Sequence, residues 1–130
     1  MAFAGHLPLI LLLLLVSAGT AFGLIGIPDA YYRERYQRMG EIALLLHNRD
    51  GYFGIPWLVF CRTMKASRTP MWALQTYYYL VVMATESDKI TPKSYMIVVE
   101  LTLRGYVFRS IEEYPTYVSE HKVICLKPRK

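Results

Sequence analysis

The chain carries no charged side chain before Asp29, only two cysteines and only three histidines, and each shortage narrows what it can do. Cys61 and Cys125, with His47 and His121, form neither a Cys-x-x-Cys nor a His-x-x-x-His pair, so no metal site is expected. Neither cysteine stands where a base and an orienting third group are suggested, and His121 is isolated near the end, so no enzymatic chemistry and no cofactor are expected. A dense basic face is also missing. The 15 Lys and Arg are scattered, with only Lys127-Pro128-Arg129-Lys130 bunched, so the net charge of +5 implies a basic surface rather than nucleic-acid binding.

What stands in the charge-free stretch is apolar. Leu7 to Val16 is aliphatic and proline, and small residues follow through Ser17-Ala18-Gly19-Thr20-Ala21. This reads as a secretory signal over residues 1–22, cleaved after Ala21 or Gly23. The rival reading is a signal anchor retained from Leu7 to Ile27. With cleavage, residues 23–130 make one small domain, secreted, free of the membrane and expected to be a monomer. In an oxidising route the two thiols become candidates for one disulfide, although spacing alone does not dictate it.

Along the mature chain, Asp29 after Pro28 is a fair N-cap, and Tyr32, Tyr36, Met39, Ala43 and Leu46 recur at helical spacing with Ile42 beside them. A helix over 30–48 is expected, with Arg33, Glu34, Arg35, Arg38 and Glu41 on its outer face and a stop near Asn48-Arg49-Asp50-Gly51. Leu58 to Ala66, Leu74 to Thr85 and Tyr95 to Arg104 are rich in Val, Ile, Tyr and Thr and read as strands. In the third, Ile97, Val99, Leu101 and Leu103 share the face expected to meet the helix. A weaker strand is placed from Tyr117 to Leu126. One helix followed by antiparallel strands gives an α+β domain, with the helix packed across a curled sheet.

Several stretches then resemble one family. Met39-Gly40-Glu41-Ile42-Ala43-Leu44-Leu45-Leu46-His47-Asn48 is similar to the helix segment Leu-Ala-Arg-Phe-Ala-Val-x-Glu-His-Asn of plant cystatins, matching at the Ala, an aliphatic after it and the closing His-Asn. Gly23-Leu24-Ile25-Gly26-Ile27-Pro28-Asp29 resembles their Gly-rich entry. Phe60-Cys61-Arg62-Thr63-Met64-Lys65-Ala66, Tyr78-Tyr79-Leu80 and Phe108-Arg109-Ser110-Ile111-Glu112-Glu113-Tyr114 resemble later segments of the same family. The resemblance runs from about Gly23 to Pro115.

It implies a cystatin-like fold and a secreted, reversible, non-covalent inhibitor of papain-like cysteine proteases that enters the active cleft along three edges. The N-terminal edge falls on Gly23 or Gly26. The first hairpin, where the family has Gln-x-Val-x-Gly, falls on Thr69-Pro70-Met71-Trp72-Ala73, or one register later on Met71 to Gln75, and neither matches. The second hairpin, where the family has Pro-Trp, falls on Leu103-Arg104 with Gly105 and Tyr106 following, and the Trp is absent. Weak inhibition is therefore expected. The alternative is a non-inhibitory secreted module of the same fold that offers Met71, Trp72 and Tyr106 to another partner.

Overall fold

The computed structural model describes residues 23–50, 54–87, 89–115, 117 and 125. The expected leader 1–22 lies outside them, as does most of the weak strand placed from Tyr117 to Leu126. Five strands form one sheet in chain order: β1 (Ile25–Gly26), β2 (Leu58–Arg68), β3 (Thr76–Glu86), β4 (Lys93–Thr102) and β5 (Gly105–Glu113). Every neighbouring pair is antiparallel. One helix, α1 (Glu34–Asp50), packs against this sheet, chiefly on β2. The α+β class expected from the order of apolar periods is the observed one.

The helix begins later than its periodicity suggests. Asp29 takes a left-handed conformation (φ 56°) and makes no side-chain cap, Ala30–Tyr32 form a single 3₁₀ turn, and Arg33 is extended. Helical φ and ψ are interrupted at Arg33, so α1 starts at Glu34, whose carboxylate suits the positive end of the helix dipole. At the other end α1 runs on to Asp50, with His47 and Arg49 in its last turn. Tyr32 consequently stands outside the helix and in solvent.

The buried face is also turned from the expected one. Tyr36, Met39 and Ala43 are buried as expected, but Gly40, Leu44 and His47 complete the face, while Ile42 and Leu46 are half-buried. Gly40 explains the rotation. A Cβ there would overlap Thr63 Oγ1 and sit 3.0 Å from the Phe60 ring, so helix and strand approach where only glycine fits. Glycine inside a helix costs about 1 kcal/mol against alanine, and the close approach offsets it. Around this point Thr63 Oγ1 donates to the Tyr36 carbonyl at 2.8 Å. The Gln37 amide accepts from Thr63 N–H and donates to the Thr63 carbonyl, both at 2.8 Å, and also donates to the Tyr31 carbonyl at 2.7 Å.

Register shifts between Phe60 and Arg62 and between Thr63 and Lys65 leave Cys61 and Met64 as extra residues on β2. Such bulges bend and twist a strand, here around the helix. The backbone groups of Thr63 that Gln37 satisfies lie beside the second bulge. Behind them sits the core of Leu58, Leu80, Val82, Ala84, Tyr95, Ile97, Val99 and Ile111. In β4, Ile97 and Val99 face that core as expected, joined by Tyr95. Leu101 and Leu103 do not, because β4 runs past the helix and ends at Thr102, leaving both exposed.

Strand β5 was not expected as a strand. Only Ile111 of it is fully buried, and Arg109, Glu112 and Glu113 interrupt the apolar signal. Arg109 is an extra residue between Phe108 and Ser110, and its guanidinium pairs with the largely buried Glu100 carboxylate of β4. That hydrogen bond raises the Arg109 pKa above its ordinary value. Beyond β5, Ser94 Oγ donates to the Tyr114 carbonyl at 2.5 Å, Tyr114 stacks on Tyr117, and Tyr117 meets Lys65 of β2. Cys125 is disulfide-bonded to Cys61, with Cα atoms 4.9 Å apart.

Candidate functional site

The register places three free edges at one end of the sheet. Ile25 pairs with Arg68 at the last position of β2, Thr76 opens β3 opposite Leu101, and Thr102 closes β4 opposite Gly105. The N-terminal segment, the connection 69–75 and the turn 103–104 therefore emerge side by side. Leu58 and Glu86 mark the opposite end, where α1 finishes.

The connection 69–75 is built by its own polar groups. Thr69 N–H donates to the Tyr77 carbonyl at 3.0 Å, Thr69 Oγ1 donates to the Gln75 carbonyl at 3.0 Å, and Tyr77 N–H donates to Thr69 Oγ1 at 3.0 Å. Ala73 N–H donates to the Pro70 carbonyl at 3.0 Å, closing a turn over Met71 and Trp72. Proline fixes φ for that turn without needing a donor. With the polar groups turned inward on the hairpin, the side chains left at the tip are apolar: Met71 and Trp72 are more than four-fifths exposed and Leu74 is wholly exposed. Leu74 was expected to open the second of the three long strands. It precedes β3 by two residues, because Gln75 is engaged with Thr69 and Tyr77 instead of a ladder.

The turn 103–104 is tighter. Thr102 Oγ1 donates to the Gly105 carbonyl at 2.8 Å and accepts from Arg104 N–H at 3.2 Å. Gly105 has φ +112°, which an L side chain rarely adopts. Leu103 and Arg104 form the exposed tip. Tyr106, proposed above as a surface aromatic, packs instead against the core edge, with its ring 6.5 Å from that of Tyr78. It belongs to the helix side of the sheet and is no part of the tip.

At the N-terminal edge, Gly26 is paired with Ser67, and an added Cβ would meet nothing within 4 Å. Its place is extended strand, which any residue adopts. Gly23 precedes β1 in a turn. Between β1, the start of α1 and the hairpin lies an open groove of about 470 Å³ whose lining includes Arg33, Arg35, Arg68, Tyr36, Tyr78 and Met71. Arg33 and Arg35 lie 5.0 Å and 5.6 Å from the centre of the Tyr36 ring, and Arg35 Nη2 donates to Tyr78 Oη at 3.2 Å. The tyrosine neighbours, Tyr78 first, hold the Arg35 guanidinium above its ordinary pKa. Helical spacing puts Arg33 and Arg35 on the outer helix face, and only the β1–β2 pairing brings Arg68 to them.

The two histidines divide. His121 lies outside the described residues. His47 is buried, its Nε2 3.1 Å from the Pro56 carbonyl and its ring against Phe108. Among the described residues no helix is long and apolar enough to cross a membrane. No family model, no characterised protein and no solved structure matches the chain.

Proposed function

We propose that this protein is a secreted inhibitor of papain-like cysteine proteases with a cystatin-like fold, acting by reversible, non-covalent occupancy of the active cleft. The observation that carries the reading is the emergence at one sheet end of an extended N-terminal segment and two hairpin tips bearing Met71, Trp72, Leu74 and Leu103 in solvent. A row of three narrow edges suits a trench, and exposed aromatic and thioether side chains suit burial in pockets. Thioether, indole and alkyl groups offer surface and no acid–base chemistry, so binding by these tips is occupancy without bond formation. The Cys61–Cys125 disulfide and the apolar leader support an extracellular place of work.

The affinity is expected to be modest. Ala73 stands where the family resemblance calls for glycine, and the second tip carries Leu103 in place of an indole. Each missing anchor is commonly worth about 1 to 3 kcal/mol, or roughly one to two decades in affinity. Titration against papain should give a dissociation constant of about 1 μM or weaker. Replacing Thr69 to Ala73 by Gln-Val-Val-Ala-Gly should tighten it about tenfold or more. No inhibition by the parent, together with no gain from a folded graft, would replace the inhibitor by a module that offers the same tips to another partner.

A further inference from the structure

The groove beside the first hairpin presents three cations and no anion. Arg33, Arg35 and Arg68 line it, and among the described residues no acidic side chain does. Five ion pairs are formed among the described residues, and none involves these three arginines. The carboxylate that opens the helix, Glu34, pairs with Arg38 at 3.0 Å and lines a neighbouring depression that it shares with Arg35. Among the described residues this positive cluster therefore has no ion-pair partner.

Its floor is aromatic and its walls are apolar. Tyr36 and Tyr78, both nearly buried, underlie the guanidinium groups, and Ile25 and Met71 flank them. Stacking on Tyr36 and the bond to Tyr78 hold Arg33 and Arg35 in place before any partner arrives, so less side-chain freedom is lost on binding. The two-residue strand β1 forms the edge of the sheet, so backbone groups are available to an extended chain laid beside it. A bare polyanion track needs none of these apolar and strand-edge features. A peptide carrying carboxylates uses the guanidinium groups and the strand edge together.

We propose that this groove binds an acidic peptide segment, and that in the inhibited complex the segment belongs to the rim of the protease cleft. Only the second clause rests on the inhibitor reading. Met71 belongs both to the exposed tip and to the groove wall, so a partner seated on the tip has its rim beside the three arginines. Carboxylates there gain forked, charge-assisted hydrogen bonds from guanidinium groups, which lysine would not provide.

The test uses fluorescein-labelled hexaglutamate and hexaglutamine, read by anisotropy on the purified protein. Hexaglutamate should bind about tenfold or more tightly than hexaglutamine, and the advantage should fall severalfold between about 50 mM and about 500 mM salt. Arg68→Gln disturbs neither the Tyr36 stacking nor the Tyr78 bond and should weaken hexaglutamate severalfold. The combined Arg33→Gln, Arg35→Gln and Arg68→Gln variant should abolish the preference while remaining folded by circular dichroism. Equal binding of the two peptides, or an unchanged preference in Arg68→Gln, overturns the proposal. So does capture of a sulfated hexasaccharide without hexaglutamate, which would reassign the groove to glycans. Hexaglutamate binding without papain inhibition by either the parent or the folded loop graft sinks the inhibitor reading and leaves the groove standing; papain inhibition without hexaglutamate binding does the reverse.

Discussion

The two ends of the sheet are made differently. At the Leu58 end, the Asn48 side chain donates to the Leu58 carbonyl at 2.8 Å and accepts from its N–H at 2.9 Å, while His47 reaches the Pro56 carbonyl. The last turn of α1 is thus tied to the first residue of β2. At the Arg68 end the polar groups close the hairpins on themselves, and large apolar side chains stand in water. One end answers its backbone groups between elements and holds the fold. The other answers them within each loop, leaving its apolar side chains in solvent.

The strongest way to break the fold lies between the ends, where α1 meets the sheet. Ala43 is fully buried, so Ala43→Asp should place an unpaired carboxylate in the core at a cost of about 4 kcal/mol or more and leave the domain unfolded by circular dichroism. Arg38→Ala, which removes only an exposed ion pair, should change stability by about 0.5 kcal/mol or less. Thermal stability of the Asp variant equal to that of the parent would contradict the assigned helix face.

Next in size, Asn48→Ala should cost about 2 kcal/mol, lowering the melting temperature by roughly 10 °C, because it leaves the buried N–H and carbonyl of Leu58 unanswered. Inhibition by the protein still folded should be unchanged. Trp72→Ala should do the opposite, weakening papain inhibition about tenfold while shifting the melting temperature by about 2 °C or less, since the indole touches little of the fold. If both variants lose stability to the same degree, the division between a structural and a recognition end fails.

A further effect on stability is set by pH. Burial, with Glu113 and Glu86 adding to it, pushes the Tyr95 hydroxyl from about 10 up to about 12. The folded state therefore keeps a proton that the unfolded chain loses first. The stabilisation is whole below pH 10 and drains away as the pH rises toward 12, by on the order of 1 kcal/mol. Denaturant midpoints recorded across this interval should fall more steeply for the parent than for Tyr95→Phe.

How far the sequence could be read depended on whether a signal was local. The helix and three long strands announce themselves through periodicity, and Asn48 and Pro56 bracket a connection whose polar partners become clear once it is folded. The exact helix face was not legible, because it depends on Gly40 meeting Thr63, residues in separate elements whose contact leaves no periodic trace. Strand β5 was hidden because its outward positions carry Arg109, Glu112 and Glu113, while its inward ones are only partly covered by the helix. At the Arg68 end, the hairpin tips were placed by the family resemblance, but the exposure of Leu74, the inward position of Tyr106 and the gathering of Arg33, Arg35 and Arg68 all depend on strand register. The pairing of Cys61 with Cys125 depends on where the chain goes after β5 and could not be read from spacing.

The disulfide has a mechanical consequence. Tension applied between the two chain ends passes from α1 into β2, leaves at Cys61 and crosses directly to Cys125, so the chain between them carries no load. The pulling force acts on the contacts of α1 and β1 with β2, while the hairpins from β2 to β5 ride behind the covalent shortcut. Stretching the oxidised protein should release only chain outside this loop, and reduction should add about 220 Å of contour, the extended length of the 64-residue separation between the cysteines. In a protease-rich medium the same shortcut means that a single cut in the loop leaves its two pieces joined.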